Sequence, residues 1–125
     1  MATVAFVTEA NAAHQAPYRN AIRDLDLVEH AELLDPGGST FEASINTIGD
    51  KAGGKHTSVD SLLQAGKPDM AIVTMIAAHA PDVIRPLLEA GVHVMAEKPS
   101  CVRAEDFAEL ASLADKNGAH LMLAL

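Results

Sequence analysis

Residues 69–125 read DMAIVTMIAAHAPDVIRPLLEAGVHVMAEKPSCVRAEDFAELASLADKNGAHLMLAL, and this stretch decides the fold class. Met70 to Met75 is a short apolar run without alternation, the pattern of a strand buried on both faces. Pro81 to Ala90 reads as a helix that turns Ile84, Leu87 and Leu88 inward and stops at Gly91. Pro86 lies inside it, and because an interior proline costs about 3 kcal/mol the regular part is expected to begin close to it. Val92 to Ala96 is the next strand, Ala104 to Lys116 a helix with Phe107, Leu110, Ala111 and Ala114 on one face, and Leu121 to Leu125 a final strand. Asn117-Gly118 closes the intervening helix. Strands separated by helical crossovers of this length pair in parallel.

The N-terminal half continues the alternation. Thr3 to Val7 is a doubly buried strand, followed by a loop from Thr8 to Gln15. Pro17 then suits a first helical turn, with Tyr18, Ala21, Ile22 and Leu25 on one stripe. His30 to Leu34 is a second strand ending at Asp35, before the break Pro36-Gly37-Gly38. Ser39 and Glu42 have capping-box spacing ahead of a helix carrying Phe41, Ile45 and Ile48, with Gly49 as its stop. Asp50 to Lys55 reads as a polar, Gly-rich loop leading to a very short strand around His56. Thr57 or Ser58 caps a helix with Val59, Leu62 and Leu63 inward. The pattern predicts an α/β fold: a doubly wound parallel sheet of six strands in Rossmann order with helices on both faces, forming one domain over 1–125.

Composition narrows the function. Nine Lys and Arg against 17 Asp and Glu give a net charge of -8, so nucleic acid or an anionic membrane surface would be bound against the overall field. The longest strongly apolar stretch, Met70 to Ala80, is broken by Thr74 and His79 and falls short of the roughly 20 residues that span a bilayer. There is no basic leader, and Glu9 follows directly on the first apolar run, so no secretory signal is read. Cys101 alone forms no intramolecular disulfide, which fits a cytoplasmic location. It also lacks a His or acid in a partner frame and reads as a packed thiol. The six histidines, at 14, 30, 56, 79, 93 and 120, have no short metal-ligand spacing, so no metal is expected. The acidic pairs Glu29 with Glu32 and Glu105 with Asp106 read as solvated faces.

Glu97-Lys98-Pro99 after the fifth strand, preceded by Glu89-Ala90-Gly91 and His93-Val94, carries the most specific signal. In this frame the chain resembles the N-terminal domain of the glucose-fructose oxidoreductase, inositol dehydrogenase and MocA family. The first strand, Asp35 and the capped helix before Met70 extend the resemblance over nearly the whole sequence. It implies an NAD(P)-binding domain of an oxidoreductase that moves a hydride to or from a sugar, cyclitol or related hydroxy compound. In that family a second domain with a large open sheet carries much of the substrate pocket and of the acid-base machinery. The sequence stops at Leu125, where the sixth strand ends, so a fragment, a shortened chain or one half of a split enzyme is expected, not catalytically complete alone. The edge of the sheet and the carboxyl ends of its strands, normally covered by the second domain, should then expose apolar surface, which predicts a homo-oligomer, as a dimer, or else a sticky monomer.

A dinucleotide site needs a glycine-rich turn, because the pyrophosphate must approach bare backbone N–H groups at a helix N-terminus. Here the turn reads Thr8-Glu9-Ala10-Asn11-Ala12-Ala13. Thr8 and Ala10 stand where the first two glycines belong, and Ala13 is an accepted substitute for the third. Thr8 suits a positive φ poorly, the Ala10 methyl projects toward the phosphates, and Glu9 adds a like charge near an anion. A divergent working site and a turn that only connects two elements both remain open. Asp35 has the place of the acid that binds the adenosine ribose, or is a turn acid before Pro36. The absence of Arg or Lys beside it favours NAD over NADP. Met75 falls where the resemblance puts a residue lining the cofactor, and the apolar Ile76-Ala77-Ala78 replaces polar groups there. His79 reads as a surface or helix-start histidine. The resemblance places Lys98 near the nicotinamide and the reacting carbon, as the catalytic cation, with Glu97 and Pro99 fixing its direction, the proline through an unusual peptide geometry. Two other readings compete: an interaction or regulatory domain with a degenerate site and no cofactor, and an anion or mononucleotide binder using the first helix alone.

Overall fold

A computed structural model describes the whole chain, residues 1–125. In chain order it contains β1 (Ala2–Thr8), α1 (Gln15–Asp24), β2 (Val28–Leu34), α2 (Phe41–Ile48), a 3-10 turn (Gly49–Lys51), β3 (Ala52–His56), α3 (Val59–Ala65), β4 (Met70–Thr74), α4 (Ala80–Glu89), β5 (His93–Glu97), α5 (Ala104–Lys116) and β6 (Leu121–Ala124). All neighbouring strands are parallel, in the order β3-β2-β1-β4-β5-β6. This is the doubly wound Rossmann arrangement read from the sequence, and its topological switch point lies between β1 and β4.

The period of two along each strand divides the core into two layers. Ala5, Val7, Ala71, Val73, Val94 and Ala96 face α3, α4 and α5, where Leu62, Ile84, Leu87, Leu88 and Leu110 close over them. Val4, Phe6, Ala31, Leu33 and Ile72 face the other way, under Ile22 of α1 and Ile48 of α2. Alpha1 and α2 cover the β1–β3 half of that face. Over β4–β6 the same face carries Met70, Met95 and Met122 around a cavity of about 260 Å³, and Met122 is 61% exposed. Ala2, Asp69 and His93 in its lining put this cavity toward the amino ends of the strands, whereas the sequence led to apolar exposure at the sheet edge and the carboxyl ends.

Three local expectations need correction. Helix α4 starts at Ala80 and runs through Pro86. The i−4 carbonyl that Pro86 leaves without its helical donor belongs to exposed Asp82, while Val83, Ile84, Leu87 and Leu88 are buried on the other side. Burial of that face outweighs the one lost bond. The Ser39–Glu42 capping box does not form: Thr40 precedes the helix, and its backbone N–H and hydroxyl both donate to Asp35. The buried polar member of the α2 stripe is Ser44, whereas Ile45 is exposed. Finally, Ala52 to Lys55, read as loop, belongs to edge strand β3. Its glycines admit the Glu32 carboxylate, which accepts from the Gly54 N–H at 2.7 Å; a Cβ on Gly53 would lie 1.9 Å from Glu32 Oε2. Ser58 caps α3 as read, accepting from the Ser61 N–H.

Candidate functional site

Parallel sheets bind ligands outside the carboxyl ends of their strands, at the switch point. Here that means the loops after β1 and β4, with the exits of β2 and β5 on either side. Thr8 and Thr74 are partners in the β1–β4 register, so the two loops leave the sheet side by side.

The β1–α1 loop turns without glycine. Asn11 and His14 take the positive φ values, 67° and 57°, so the left-handed positions fall there and not at Thr8. Asn tolerates this backbone better than most residues, because its short amide side chain bonds locally. Thr8 ends β1 fully buried, and its Oγ1 is a buried side-chain oxygen without a hydrogen-bond partner. Ala10 and Ala13 are exposed. Gln15 Nε2 donates to the carbonyls of Glu9 and Ala12 at 3.0 and 3.1 Å, fixing the loop from the first turn of α1.

Glu9 reaches across the switch point. Its Oε2 accepts from the Ile76 N–H at 3.0 Å, and Oε1 lies 2.9 Å from His79 Nδ1. The Thr74 hydroxyl donates to the Ala13 carbonyl, a second tie between the same two loops. None of the five cavities in the molecule is lined by residues 8–13 or 74–79. Met75 is buried in the core layer under α3 and α4, so it packs and does not line the crevice. His79 is the exposed helix-start residue expected from the sequence, yet it is also half of a contact with Glu9 that no local pattern announces.

Asp35 is only 1% exposed. Its Oδ1 accepts from the Gly37 N–H at 2.9 Å, and Oδ2 accepts from the Thr40 N–H at 2.9 Å and the Thr40 hydroxyl at 2.6 Å. Gly38, at φ +74°, lets the loop close around the carboxylate. In this structure Asp35 therefore organises its own loop.

The β5 exit has a different character. Glu97, Lys98, His14, Pro17, Tyr18, Ala124 and Leu125 line a cavity of about 460 Å³, so Lys98 opens on the same side of the sheet as the start of α1. Buried Glu97 accepts from the Tyr18 hydroxyl and pairs with His14 Nδ1 at 3.1 Å. Burial pushes the Glu97 carboxyl up, but the Tyr18 and His14 hydrogen bonds, with the charges of His14 and Lys98, hold it below the usual carboxylate range. The same contact, after burial, drives Tyr18 up to about 12. Lys98 is exposed, and the Lys98–Pro99 peptide is cis, an unusual geometry of the kind expected at this proline. Tyr18 and His14 escaped the sequence reading; only the helical stripe that places Tyr18 inward hinted at them. Cys101 is a partly buried thiol whose pKa is raised by burial, and no cluster of His, Cys, Asp and Glu is arranged to hold a metal.

A dinucleotide therefore meets two ends of unequal fit. The β5 end offers a cavity, a free ammonium and a fixed carboxylate. The β1 end has no cavity, and the Glu9 carboxylate takes up the Ile76 N–H there.

Residues 6–125 match the model of an oxidoreductase family described as having an NAD-binding Rossmann fold, Gfo/Idh/MocA. No curated protein matches the chain. Among solved structures, a Gfo/Idh/MocA family oxidoreductase from Vibrio cholerae superposes with a TM-score of 0.84 at 15% identity, over 99% of this chain and 38% of that one. The WlbA dehydrogenase of Chromobacterium violaceum, solved with NADH and UDP-GlcNAcA, gives a TM-score of 0.80 at 26% identity, over 99% of this chain and 35% of that one. WlbA from Bordetella pertussis, with the same ligands, gives 0.80 at 22%, over 98% and 37%. This chain thus spans little more than a third of the length of these relatives. No helix is long and apolar enough to cross a membrane. The strand order, the Glu97-Lys98-Pro99 exit of β5 and the family match over 6–125 together make this chain a member of the Gfo/Idh/MocA oxidoreductases, with the family's NAD-binding Rossmann fold.

Proposed function

We propose that the chain is the cofactor-side domain of an NAD-dependent oxidoreductase acting on a sugar, cyclitol or related hydroxy compound, with Lys98 as its catalytic cation. The observation that carries this is the cavity shared by Lys98, Glu97 and the start of α1 at the carboxyl edge of the sheet. An exposed ammonium at that edge can polarise a hydroxyl or carbonyl oxygen and ease movement of its proton. Glu97, fixed from beneath by Tyr18 and His14, holds the backbone that aims Lys98. The bound dinucleotide would supply the hydride acceptor or donor. Residues 36–40 contain no Arg or Lys to meet a 2′-phosphate, which supports NAD over NADP. The substrate needs further walls, from a second domain or another copy of the chain, because the β4–β6 face stands open beside the cavity. Cytoplasmic residence is part of the same proposal.

A second reading, a Rossmann-fold interaction or regulatory domain without cofactor, is favoured by the Glu9 contact and by the inward-turned Asp35. NADH fluorescence titration of the folded chain separates the two. Saturable binding that weakens several-fold in Lys98→Ala is the expected result. Absence of binding, with native mass spectrometry recovering a protein complex free of nucleotide, selects the second reading.

A further inference from the structure

Glu9 is the first residue beyond β1, and its carboxylate ends on the Ile76 N–H in the loop beyond β4, against His79, the residue just before α4. It spans the place where a doubly wound sheet receives the charged centre of a nucleotide. The carboxylate is not a mobile surface group: its side chain is 16% exposed, against 56% for His79. Gln15 holds its carbonyl, the Ala12 N–H donates to the same carbonyl, and the Thr74–Ala13 bond draws the two loops together beside it. A negative charge therefore already receives the Ile76 N–H, beside the loop that leads into the α1 N-terminus where a doubly wound sheet takes a pyrophosphate. Two anions do not share such a place without a large loss of affinity.

We infer that Glu9 is a specificity-determining residue of this crevice: its carboxylate acts as a resident anion at the pyrophosphate position, and a dinucleotide enters only by displacing it from Ile76 and His79. The inference rests on the reading of the crevice as a cofactor site and adds what controls entry to it. Ligand affinity then reports the exchange of one anion for another, and a ligand without a pyrophosphate loses less to Glu9 than NADH does.

The test is NADH fluorescence titration of the wild-type chain, Glu9→Ala and Glu9→Gln, with inorganic pyrophosphate as competitor. Each protein is first checked for a cooperative thermal transition. Glu9→Ala should bind NADH at least about tenfold tighter than wild type, the scale on which a neighbouring like charge acts, with Glu9→Gln in between. Pyrophosphate should compete in the same order. If Glu9→Ala does not fold, a tighter Glu9→Gln decides for the inference and an unchanged one against it. Wild-type binding equal to that of the folded variants overturns the role of Glu9 and leaves the cofactor reading standing. Binding of NADH by none of the folded proteins overturns both.

Discussion

The two ends of the sheet's carboxyl edge use acidic residues in opposite ways. At the β1, β2 and β4 exits, Asp35 turns onto backbone donors of its own loop and Glu9 onto the Ile76 N–H of the loop beyond β4, and no cavity remains there. At the β5 exit, Glu97 is bonded from below by Tyr18 and His14, while Lys98 stays exposed beside a cavity of about 460 Å³. A carboxylate that satisfies the protein closes a site, whereas one held from beneath can aim its neighbour outward. The same residue type thus has its role set by which donors surround it.

Asp35→Ala should break the closed end most severely. It removes the acceptor for the buried Thr40 N–H and hydroxyl and for the Gly37 N–H, a loss of about 2–3 kcal/mol in urea unfolding. A loss under about 0.5 kcal/mol would mean that the carboxylate faces outward, ready for a ribose, and the contrast between the ends would disappear. At the open end, Tyr18 is the one tyrosine in a chain without Trp, so phenolate absorbance reads it alone. Its hydroxyl should titrate at about 12, against an ordinary 10.0. The unfolded chain then releases this proton first, so stability falls as pH rises from 10.0 toward 12, by an amount that Glu97→Gln reduces. Titration at the ordinary value in folded protein would remove the support beneath Glu97.

The smallest effect belongs to a control far from both ends, at the β2–β3 edge. Burial pushes Glu32 up, but hydrogen bonds from His56 and the Gly54 N–H, with the His56 and His30 charges, bring it below its ordinary 4.5. As pH falls the unfolded chain binds this proton first, so stability is present above pH 4.5 and is lost as pH drops through the native value. Glu32→Gln should flatten that acid limb by about 1 kcal/mol, the scale of one such bond. An unchanged acid limb would show that inward-turned acids in this protein do not stabilise it, and would weaken the same argument for Asp35.

Much of the fold was legible because doubly buried strands and amphipathic helices leave separate periodicities, as in Met70 to Thr74 and Ala104 to Lys116. Strand β3 was harder to read, since Gly53 and Gly54 are there to admit a carboxylate from β2, and strand propensity does not register that. Pro86 misled for a related reason: its cost is local, whereas the burial that outweighs it comes from the sheet. In the candidate site, Glu97, Lys98 and Pro99 stood in a recognisable frame, but Tyr18 and His14 lie 79 and 83 residues from the Glu97 they hold.

The sequence by itself determined the alternation of elements, the parallel class of the sheet and the lysine at the β5 exit, because each depends on spacing along the chain. Tertiary structure alone decided where the carboxylates of Glu9 and Asp35 point and which donors they meet. Those donors come from Ile76, His79 and Thr40, and hydrogen bonding depends on distance in space, which a linear pattern does not contain.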